Sequence, residues 1–393
     1  MNDISKLLST CSNPASVSLS STRRRSEPLV QKGRNDMYRK AIWAGVAVMA
    51  LGCGTAPALS QETLSLTAAT GHPEVFLWVK HIKETLIPTV DAELAKTGNF
   101  EINWTEGYGG TIVKLGSETE AFQQGIIDVG QMSGVFNPST MGLLNLTYAM
   151  PFGPADARGV TEAVEKALSE TQGALAALEE ATGVVYIGGG IAIDDYNIGS
   201  TREFTTVADM DGVKLGGAGP NLAWLAGTGA VGVQGSFVTF YNDIKTGVYD
   251  GYIGWMTAGV PAKLYEVAPN WNQTHFGAMY IGGLGVSKMQ WDTFDDEVKQ
   301  AFRTAATAYT VAYFDEQEAR YESAKKTMLD AGGKIVEFDP AERSAWIEAL
   351  PNPTTAWADA AEARGEPGRA VLEAYRDNLE SSGFTFERDY LTE

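Results

Sequence analysis

The sequence predicts an α/β protein with two lobes, a ligand cleft between the lobes and a long helix that braces both. Two similar stretches support this fold. QGIIDVGQMSG at 124–134 and TGVYDGYIGWM at 246–256 each indicate a helix end, a glycine, two apolar residues, an aspartate and a short strand. A third stretch, 291–331, contains no proline or glycine. The repeated junction predicts one sheet in each lobe, and the third stretch predicts the bracing helix.

The first 60 residues are predicted to lie outside this fold. From Met37, a basic pair at 39–40 precedes an apolar run from 41 to about 51 and then small residues, which is the layout of a secretory signal peptide. The apolar run is too short to span a bilayer. We expect cleavage at Ala58-Leu59-Ser60, with Ala56-Pro57-Ala58 as the alternative, and therefore a periplasmic protein.

Three alternatives remain open in this segment. Met37 is the expected start, which would make residues 1–36 an over-extended reading frame, but Met1 is the other possible start. STRRRSEP at 21–28 partly resembles a twin-arginine signal, although no apolar run follows it in the usual place. The letters ALG before Cys53 partly match a lipoprotein box, so a lipid anchor is an alternative.

Charge and cysteine usage exclude several classes of function. The chain has a formal net charge of −19, and its first 60 residues contain eight basic and three acidic residues, so the remainder has a net charge of −24. A surface this acidic repels nucleic acid and anionic membranes. Cys11 and Cys53 both precede the expected cleavage site. We therefore expect no disulfide framework and no thiol nucleophile in the mature protein.

The first half of the mature chain shows alternating strands and helices. ETLSLTAAT at 62–70 and FEINWTEG at 100–107 read as strands, and apolar spacing predicts a helix from about Pro73 to Leu94. Ser117 and Glu120 form a capping-box pattern for a helix that ends near Gly125. This βαβα order predicts a parallel sheet with helices on both faces.

The same order restarts in the middle of the chain. GVVYIGGGIAI at 183–193 and GVKLGG at 212–217 read as strands, and helices are expected at 219–229, with Pro220 in the first turn, and at 236–247. Each junction needs a glycine in the left-handed conformation, Gly125 or Gly247. Ligands bind at the carboxyl ends of strands in such sheets, so two facing sheets predict a cleft.

The remaining segments complete the domain organisation. The long helix is expected to end at Gly332-Gly333, and the tail from Pro340 is predicted to form short helices in which Trp346 and Trp357 pack. Lobe I is assigned to 61–188 with a return segment at 279–318. Lobe II is assigned to 189–278 with a C-terminal segment at 319–393.

Signals for catalysis are sparse. The sequence contains no G-x-S-x-G elbow, no H-E-x-x-H, no phosphate-loop lysine motif and no complete G-x-G-x-x-G after a strand. Its three histidines, His72, His81 and His275, lack the spacing of metal ligands. His81 is expected at a helix surface or interface, and His72, directly after the first strand, is expected to bind or pack. We predict no metal, no cofactor and no enzyme activity, with a secreted hydrolytic enzyme as the alternative.

Several segments in sequence order resemble the DctP-type receptors of TRAP transporters. They are TYAMPFGPADA, TREFTTVADMDGVKL, NLAWLAGTGAVGV, FVTFYNDIKTGVYDG, AKLYEVAPNW and GVSKMQWDTFDDEVKQAFRTAA. The resemblance covers residues 62–350 and implies a periplasmic-binding-protein-like fold in which the chain crosses between lobes more than once. It also implies a receptor that delivers a small organic acid to membrane permease subunits. Because both halves contribute residues to the cleft, we expect a monomer that closes on its ligand. A binding module that feeds a sensor is a further alternative.

One departure concerns the ligand. Members of the family usually hold the ligand carboxylate with an arginine after G-x-K and an apolar residue, but here the text is GVKLGGAGPNLAW, with Gly216 at that place and a segment about two residues short. The backbone N–H groups of Gly216, Gly217 and Gly219 could form an anion-binding nest. Alternatively the ligand has no carboxylate and aromatic rings receive a neutral or cationic group, or the glycines only form a tight turn.

Position relative to the strands selects the other ligand-binding candidates. Gly71 and His72 follow the first strand, and Trp224 lies in the helix after the glycines. Trp255 follows the second junction and is the expected aromatic wall. The full set of predicted ligand-binding residues is His72, Ser133, Phe136, Asp195, Tyr196, Asn197, Gly216, Gly217, Asn221 and Trp255.

Overall fold

A computed structural model describes residues 61–392, so the predicted signal segment at 1–60 lies outside the described residues. Within them, nine strands form one sheet. The strands are β1 (Glu62–Ala69), β2 (Phe100–Gly107), β3 (Val129–Ser133), β4 (Val184–Ser200), β5 (Lys214–Gly217), β6 (Val231–Gln234), β7 (Gly251–Gly254), β8 (Asn270–Ser287) and β9 (Lys334–Glu337).

The strands form one mixed sheet, which corrects two predictions: a separate sheet in each lobe and a parallel sheet. Its order is β2-β1-β3-β8-β4-β7-β5-β6, with β9 paired to β8. The pairs β1–β2, β1–β3, β5–β6 and β5–β7 are parallel. The long strands β4 and β8 are antiparallel to each other, and each is antiparallel to a shorter neighbour. Two parallel groups are therefore joined through a central antiparallel pair, as a two-lobed fold requires.

Helices cover the sheet and form the C-terminal tail. They are α1 (Leu77–His81), α2 (Ile87–Leu94), α3 (Glu118–Gln123), α4 (Ala157–Glu170), α5 (Ala174–Thr182), α6 (Phe240–Lys245), α7 (Met256–Gly259), α8 (Lys288–Trp291), α9 (Asp296–Asp330), α10 (Pro340–Ala349), α11 (Pro353–Ala363) and α12 (Gly368–Ser381). A π-helical turn, Ile82–Leu86, joins α1 to α2. No helix among residues 61–392 is long and apolar enough to cross a membrane.

Three local predictions about helices were wrong. The first helix begins at Leu77 and not near Pro73. Ser117 is the N-cap of α3, but its side chain makes no capping hydrogen bond. The segment Gly219–Leu225 is a 3₁₀-helix and not an α-helix. The reciprocal half of the capping box is also absent, because Ser117 N donates to Lys114 O at 3.0 Å and is not available to Glu120.

The repeated junction is present in both halves. Gly125 and Gly247 have left-handed φ values of 67° and 76°, as predicted. Three residues later, Asp128 Oδ2 accepts a hydrogen bond from Thr67 N, and Asp250 Oδ2 accepts one from Lys214 N, both at 2.8 Å. Each aspartate thus ties the incoming strand to the strand beside it. A shared carboxylate anchor explains why the same short pattern occurs twice in one chain.

β4 and β8 change register repeatedly where they pass between the two halves. Their pairing shifts at five places between Tyr186 and Ile198. Bulges of this kind bend a strand and increase its twist. On β8, Gly277 and Gly282 have φ values of 94° and 123°, and a Cβ on Gly282 would lie 1.7 Å from Met132 O. The predicted lobe boundaries, 188/189 and 278/279, fall inside β4 and β8 and remain predictions.

The 35-residue helix α9 contacts both halves, as the sequence predicts for a bracing helix. It packs against α1, the π-helical turn and α2 at one end and against α7 and β9 at the other, with β4 between. Lys80 Nζ lies 2.6 Å from Glu316 of this helix. His81 is buried against it, with Nε2 3.2 Å from Glu316, so of the two expected positions, a helix surface or an interface, the structure shows the interface. A smaller apolar core around Phe240, Tyr252 and Trp271 is separate from the main one.

We predict that Gly282→Ala lowers the free energy of unfolding by more than about 3 kcal/mol, because the new Cβ meets the Met132 carbonyl at a φ that favours glycine. Urea unfolding followed by circular dichroism measures the change. Gly173→Ala is the matched control, since Gly173 has a φ of 85° but no atom within 4 Å of an added Cβ.

Gly173→Ala should lower the free energy of unfolding by about 1 kcal/mol, because only the left-handed conformation is unfavourable there. Equal losses in the two variants would contradict the close approach of β3 and β8.

Candidate ligand-binding site

A cavity of about 300 Å³ lies at the carboxyl ends of the parallel strands. Residues that follow β1, β2 and β3 line one side of it, and residues that follow β5, β6 and β7 line the other. Tyr148, Ile193, Tyr196 and Ile281 complete the wall where β4 and β8 cross. The cavity therefore depends on both halves of the sheet, as expected for a cleft between lobes.

The two junctions place equivalent residues in this cavity. Ser133 lies five residues after Asp128, and Trp255 lies five residues after Asp250. Both line the cavity. Because each aspartate fixes the start of its strand in the same way, the residue five positions later lies at the same end of the sheet in both halves.

Aromatic rings dominate the wall. Phe76 and Trp78 are stacked with centroids 4.4 Å apart, and Trp255 lies 4.6 Å from Phe237 and 5.1 Å from Tyr196. Trp78 and Trp255 come from different halves, and their centroids are 6.5 Å apart. Each ring adds apolar surface that a planar solute can cover, and the rings give the cavity flat faces.

His72 lies among these rings. Its ring makes edge contacts with Phe76, Trp78 and Phe136 at centroid distances of 5.6, 5.4 and 5.1 Å. Burial lowers the pKa of His72 to about 4, so the imidazole is neutral at physiological pH. His72 therefore supplies a hydrogen-bonding ring to the cavity and no positive charge.

Other polar groups in the wall are few. The hydroxyl groups of Tyr148 and Tyr196 lie 3.1 Å apart, and burial raises the pKa of both phenols. Lys114 is exposed and donates a hydrogen bond from Nζ to Gly110 O at 2.6 Å. Trp78 Nε1 and Asn221 Oδ1 are buried and have no hydrogen-bond partner within the described residues. Such unpaired buried groups are uncommon and favour a solute that pairs with them.

Six of the ten predicted ligand-binding residues meet in this cavity. They are His72, Ser133, Phe136, Tyr196, Asn221 and Trp255. Gly71, also predicted by position, lines the cavity too. Trp224 does not; it stacks on Tyr148 at 5.6 Å and donates to Tyr148 O, so it supports the wall from behind.

Asp195 and Asn197 lie elsewhere. The sequence places them just past the central strand, but β4 extends to Ser200 and both are inside it. Asp195 Oδ2 accepts from Asn197 Nδ2 at 2.9 Å and lies 2.6 Å from His275 Nδ1. The hydrogen bond to the Asp195 carboxylate raises the pKa of His275. Asp194, Asp195 and His275 line a second cavity of about 430 Å³, between β4 and α9.

Gly216 and Gly217 do not line the first cavity either. Both lie in β5, which pairs with β6 and β7, so they belong to the sheet ladder. Gly219 N donates to Gln234 Oε1 at 2.9 Å. None of the three glycines considered for an anion-binding nest lines this cavity. A Cβ on Gly216 would lie 2.7 Å from the Phe240 ring, which occupies the space a side chain would need.

Sequence reasoning missed several wall residues. Phe237 follows β6 and lies in the cavity for the same reason as Trp255, so the rule of strand ends could have found it. Trp78 is the second residue of α1, and Tyr148 lies at the end of a 3₁₀ segment, Gly142–Ala149. No local pattern in the sequence marks either of them. Among residues 61–392, no cluster of three or more His, Cys, Asp or Glu side chains is arranged to hold a metal ion.

Comparison with known proteins gives a family match. The family model DctP, described as bacterial extracellular solute-binding protein, family 7, matches residues 92–359. A curated relative is the C4-dicarboxylate-binding periplasmic protein DctP of Vibrio cholerae, which is 26% identical over 116 residues. That alignment covers 29% of this chain and 34% of the relative, so the chain matches about a third of the relative's length.

Solved structures share the fold over most of the chain. A TRAP periplasmic solute binding protein from Desulfovibrio salexigens has a TM-score of 0.70 and 15% identity, covering 82% of this chain and 98% of that one. One from a Sulfitobacter species with bound β-D-galacturonate has a TM-score of 0.62 and 21% identity, covering 80% and 99%. DctP6 of Bordetella pertussis, which binds pyroglutamic acid, has a TM-score of 0.64 and 20% identity, covering 80% and 99%.

The buried neutral imidazole predicts a specific pH dependence. Because the folded-state pKa of His72 lies below 6.5, the unfolded chain binds a proton between pH 6.5 and about 4 that the folded chain does not. The free energy of unfolding should therefore fall as the pH falls through this window. In His72→Gln the free energy of unfolding should change less steeply with pH, by up to about 1.4 kcal/mol per pH unit. Urea unfolding between pH 4.5 and 8 measures this dependence.

His275→Gln provides a contrast of opposite sign. The pKa of His275 is raised, so its contribution is fully present below pH 6.5 and is lost as the pH rises through the folded-state value. The pH dependence of the free energy of unfolding should therefore differ between that variant and the wild type only above pH 6.5. If the free energy of unfolding of His72→Gln depended on pH below 6.5 as that of the wild type does, the burial of a neutral His72 would be contradicted.

Proposed function

Because this chain belongs to the DctP family, the bacterial extracellular solute-binding proteins of family 7, we propose that it is the extracytoplasmic receptor of a TRAP-type transporter. It captures a small organic solute, an organic acid or a related polar compound, and delivers it to the membrane permease subunits. Members of the family are binding proteins of transport systems. We propose that this chain acts as one of them and not as an enzyme.

The observation that carries this proposal is the cavity itself. Its wall is formed by strand ends from both halves, and Trp78 approaches Trp255 across the division. A solute bound there would contact both halves at once. It would therefore favour the arrangement in which the halves are close, which is how a solute stabilises the closed form of a two-lobed receptor.

The elements between the halves support such a movement. The register shifts in β4 and β8 lie where these strands cross from one parallel group to the other. Glycines with positive φ accompany them, Gly188 and Gly189 on β4 and Gly277 and Gly282 on β8. Hinge movements concentrate in a few residues that absorb changes in φ and ψ. We propose that these strands are the hinge.

The relatives suggest where the receptor acts and which solutes resemble its own. Galacturonate and pyroglutamic acid are bound by the receptors from Sulfitobacter and Bordetella, respectively. We propose that this chain is a monomer in the periplasm, exported by the signal peptide expected at residues 37–60. That segment lies outside the described residues.

Thermal-shift screening of the mature protein tests the receptor function. We expect at least one compound in a library of organic acids, polyols and amines to raise the melting temperature and to be recovered unchanged. A receptor stabilised by a solute at 100 times its dissociation constant gains about 2.7 kcal/mol. Conversion of the stabilising compound by the purified protein would reverse the proposal in favour of a secreted enzyme.

Small-angle X-ray scattering tests closure. The radius of gyration should decrease when a stabilising solute is added, and the scattering mass should remain that of one chain. Trp255→Ala should weaken binding at least about tenfold, since it removes a central ring, and should abolish the decrease at the same solute concentration.

Trp357→Ala is the matched control, because Trp357 is partly buried and donates to Asn145 outside the cavity. Trp357→Ala should bind the solute as tightly as the wild type does and should show the same decrease in the radius of gyration. A radius that does not change when the wild type is saturated would contradict hinge closure.

A further inference from the structure

The cavity contains almost no charge, and this bears on the class of solute. Among the residues that line it, all within 61–392, there is no aspartate, glutamate or arginine. His72 is neutral, and the raised pKa values of Tyr148 and Tyr196 keep both phenols protonated. Lys114 is the one lining cation, and it is exposed at the edge, where it is already bound to Gly110 O.

A carboxylate would also meet a negative charge behind the wall. The Glu118 side chain is buried and accepts hydrogen bonds from Gly71 N at 3.2 Å and from Gly116 N at 2.7 Å. Gly71 lines the cavity, but its N–H already donates to Glu118 and is therefore not available to a solute. Across the cleft, Gly219 N is committed to Gln234. These two N–H groups are therefore already in use.

The space for a cationic clamp is also filled. Any side chain at Gly216 would collide with Phe240, whose ring lies 2.7 Å from the position of a Cβ, and with Tyr249 at 3.1 Å. Phe240 lines the cavity. Aromatic surface thus occupies the direction from which a basic side chain on β5 would enter. A buried carboxylate without a counter-ion is strongly disfavoured.

Two unpaired groups give the wall a different preference. Trp78 Nε1 is a donor without a partner, and the Asn221 side chain makes no hydrogen bond within the described residues, with its Oδ1 fully buried. A Cβ on Gly217 would lie 2.5 Å from this oxygen, so the glycine makes room for the amide. An amide offers both a donor and an acceptor, and its natural complement is a second amide.

From these observations we propose that the solute is a small, planar, uncharged compound that carries a carboxamide or lactam group. The aromatic rings cover its flat faces, Asn221 pairs with its amide, and Trp78 donates to an acceptor on it. This inference rests on the proposed receptor function. It differs from the acids bound by the structural relatives, which are galacturonate and pyroglutamic acid in the cases described above.

Matched pairs of amide and acid test the charge preference. Nicotinamide with nicotinate, benzamide with benzoate, and indole-3-carboxamide with indole-3-carboxylate each differ mainly in charge at pH 7.5. Binding is measured by calorimetry and by quenching of tryptophan fluorescence, since Trp78 and Trp255 line the cavity. We expect at least one amide to bind at least about tenfold tighter than its acid.

Variants locate the contacts. Trp78→Phe retains a ring but removes the N–H, and Asn221→Leu retains the volume but removes the amide, so each should weaken binding of the preferred amide about tenfold. Trp104→Phe is the matched control, because Trp104 Nε1 donates to Asp91 outside the cavity. Lys114→Met removes the one lining cation and tests whether Lys114 contributes to any binding of an acid. Melting temperatures near that of the wild type establish that each variant is folded.

The outcomes separate this inference from the receptor function. Equal or tighter binding of the acids, or binding of galacturonate and pyroglutamate but of no uncharged amide, would overturn the inference and leave the receptor intact. Loss of acid binding in Lys114→Met would then identify Lys114 as the group that holds the anion. If no amide, acid, polyol or amine stabilises the protein, the receptor function itself fails.

Discussion

The antiparallel pairing of β4 with β8 is the constraint on which the rest of the structure depends. These two strands extend through both parallel groups of the sheet, and no other strand among the described residues does so. Their bulges also decide which residues face which cavity. Ile193 and Tyr196 line the first cavity, whereas Asp194 and Asp195 line the second. A regular strand would alternate, but the register shift between Ile193 and Tyr196 turns two consecutive acids to the same side.

This arrangement keeps acidic groups away from the solute. Asp195 is held by His275, Asn197 and Gly277 N, and Asp194 accepts from Thr257 N at 3.1 Å. Burial raises the pKa of Asp194 to about 6. The chain is acidic overall, yet the wall of the first cavity is nearly neutral. The bulge therefore separates a charged cluster beside α9 from an aromatic cleft, although the residues involved are neighbours in sequence.

The sequence predicts those parts of the fold and site that depend on local patterns. Gly125 and Gly247 with their aspartates identify both junctions, and residues directly after strand ends, such as Ser133 and Trp255, lie in the cavity. Asp195 could not be placed, because the face that it takes depends on a bulge fixed by pairing with a strand 80 residues away. Trp78 was missed because its position depends on α9, whose Tyr309 donates to Trp78 O. Long-range packing, which leaves no local pattern, accounts for both cases.

The length of α9 has a mechanical consequence. A helix of 35 residues extends about 50 Å. It contacts elements of both halves, so it is a rigid connection between them. Any change in the angle between the halves must bend α9 or shift its packing contacts with one of the halves. Under the closure proposed above, the contacts of α9 with α7 and β9 and with α1 and α2 therefore influence how often the closed arrangement is populated. Because apparent affinity scales with that population, substitutions far from the cavity can tune retention of the solute without altering which solute fits.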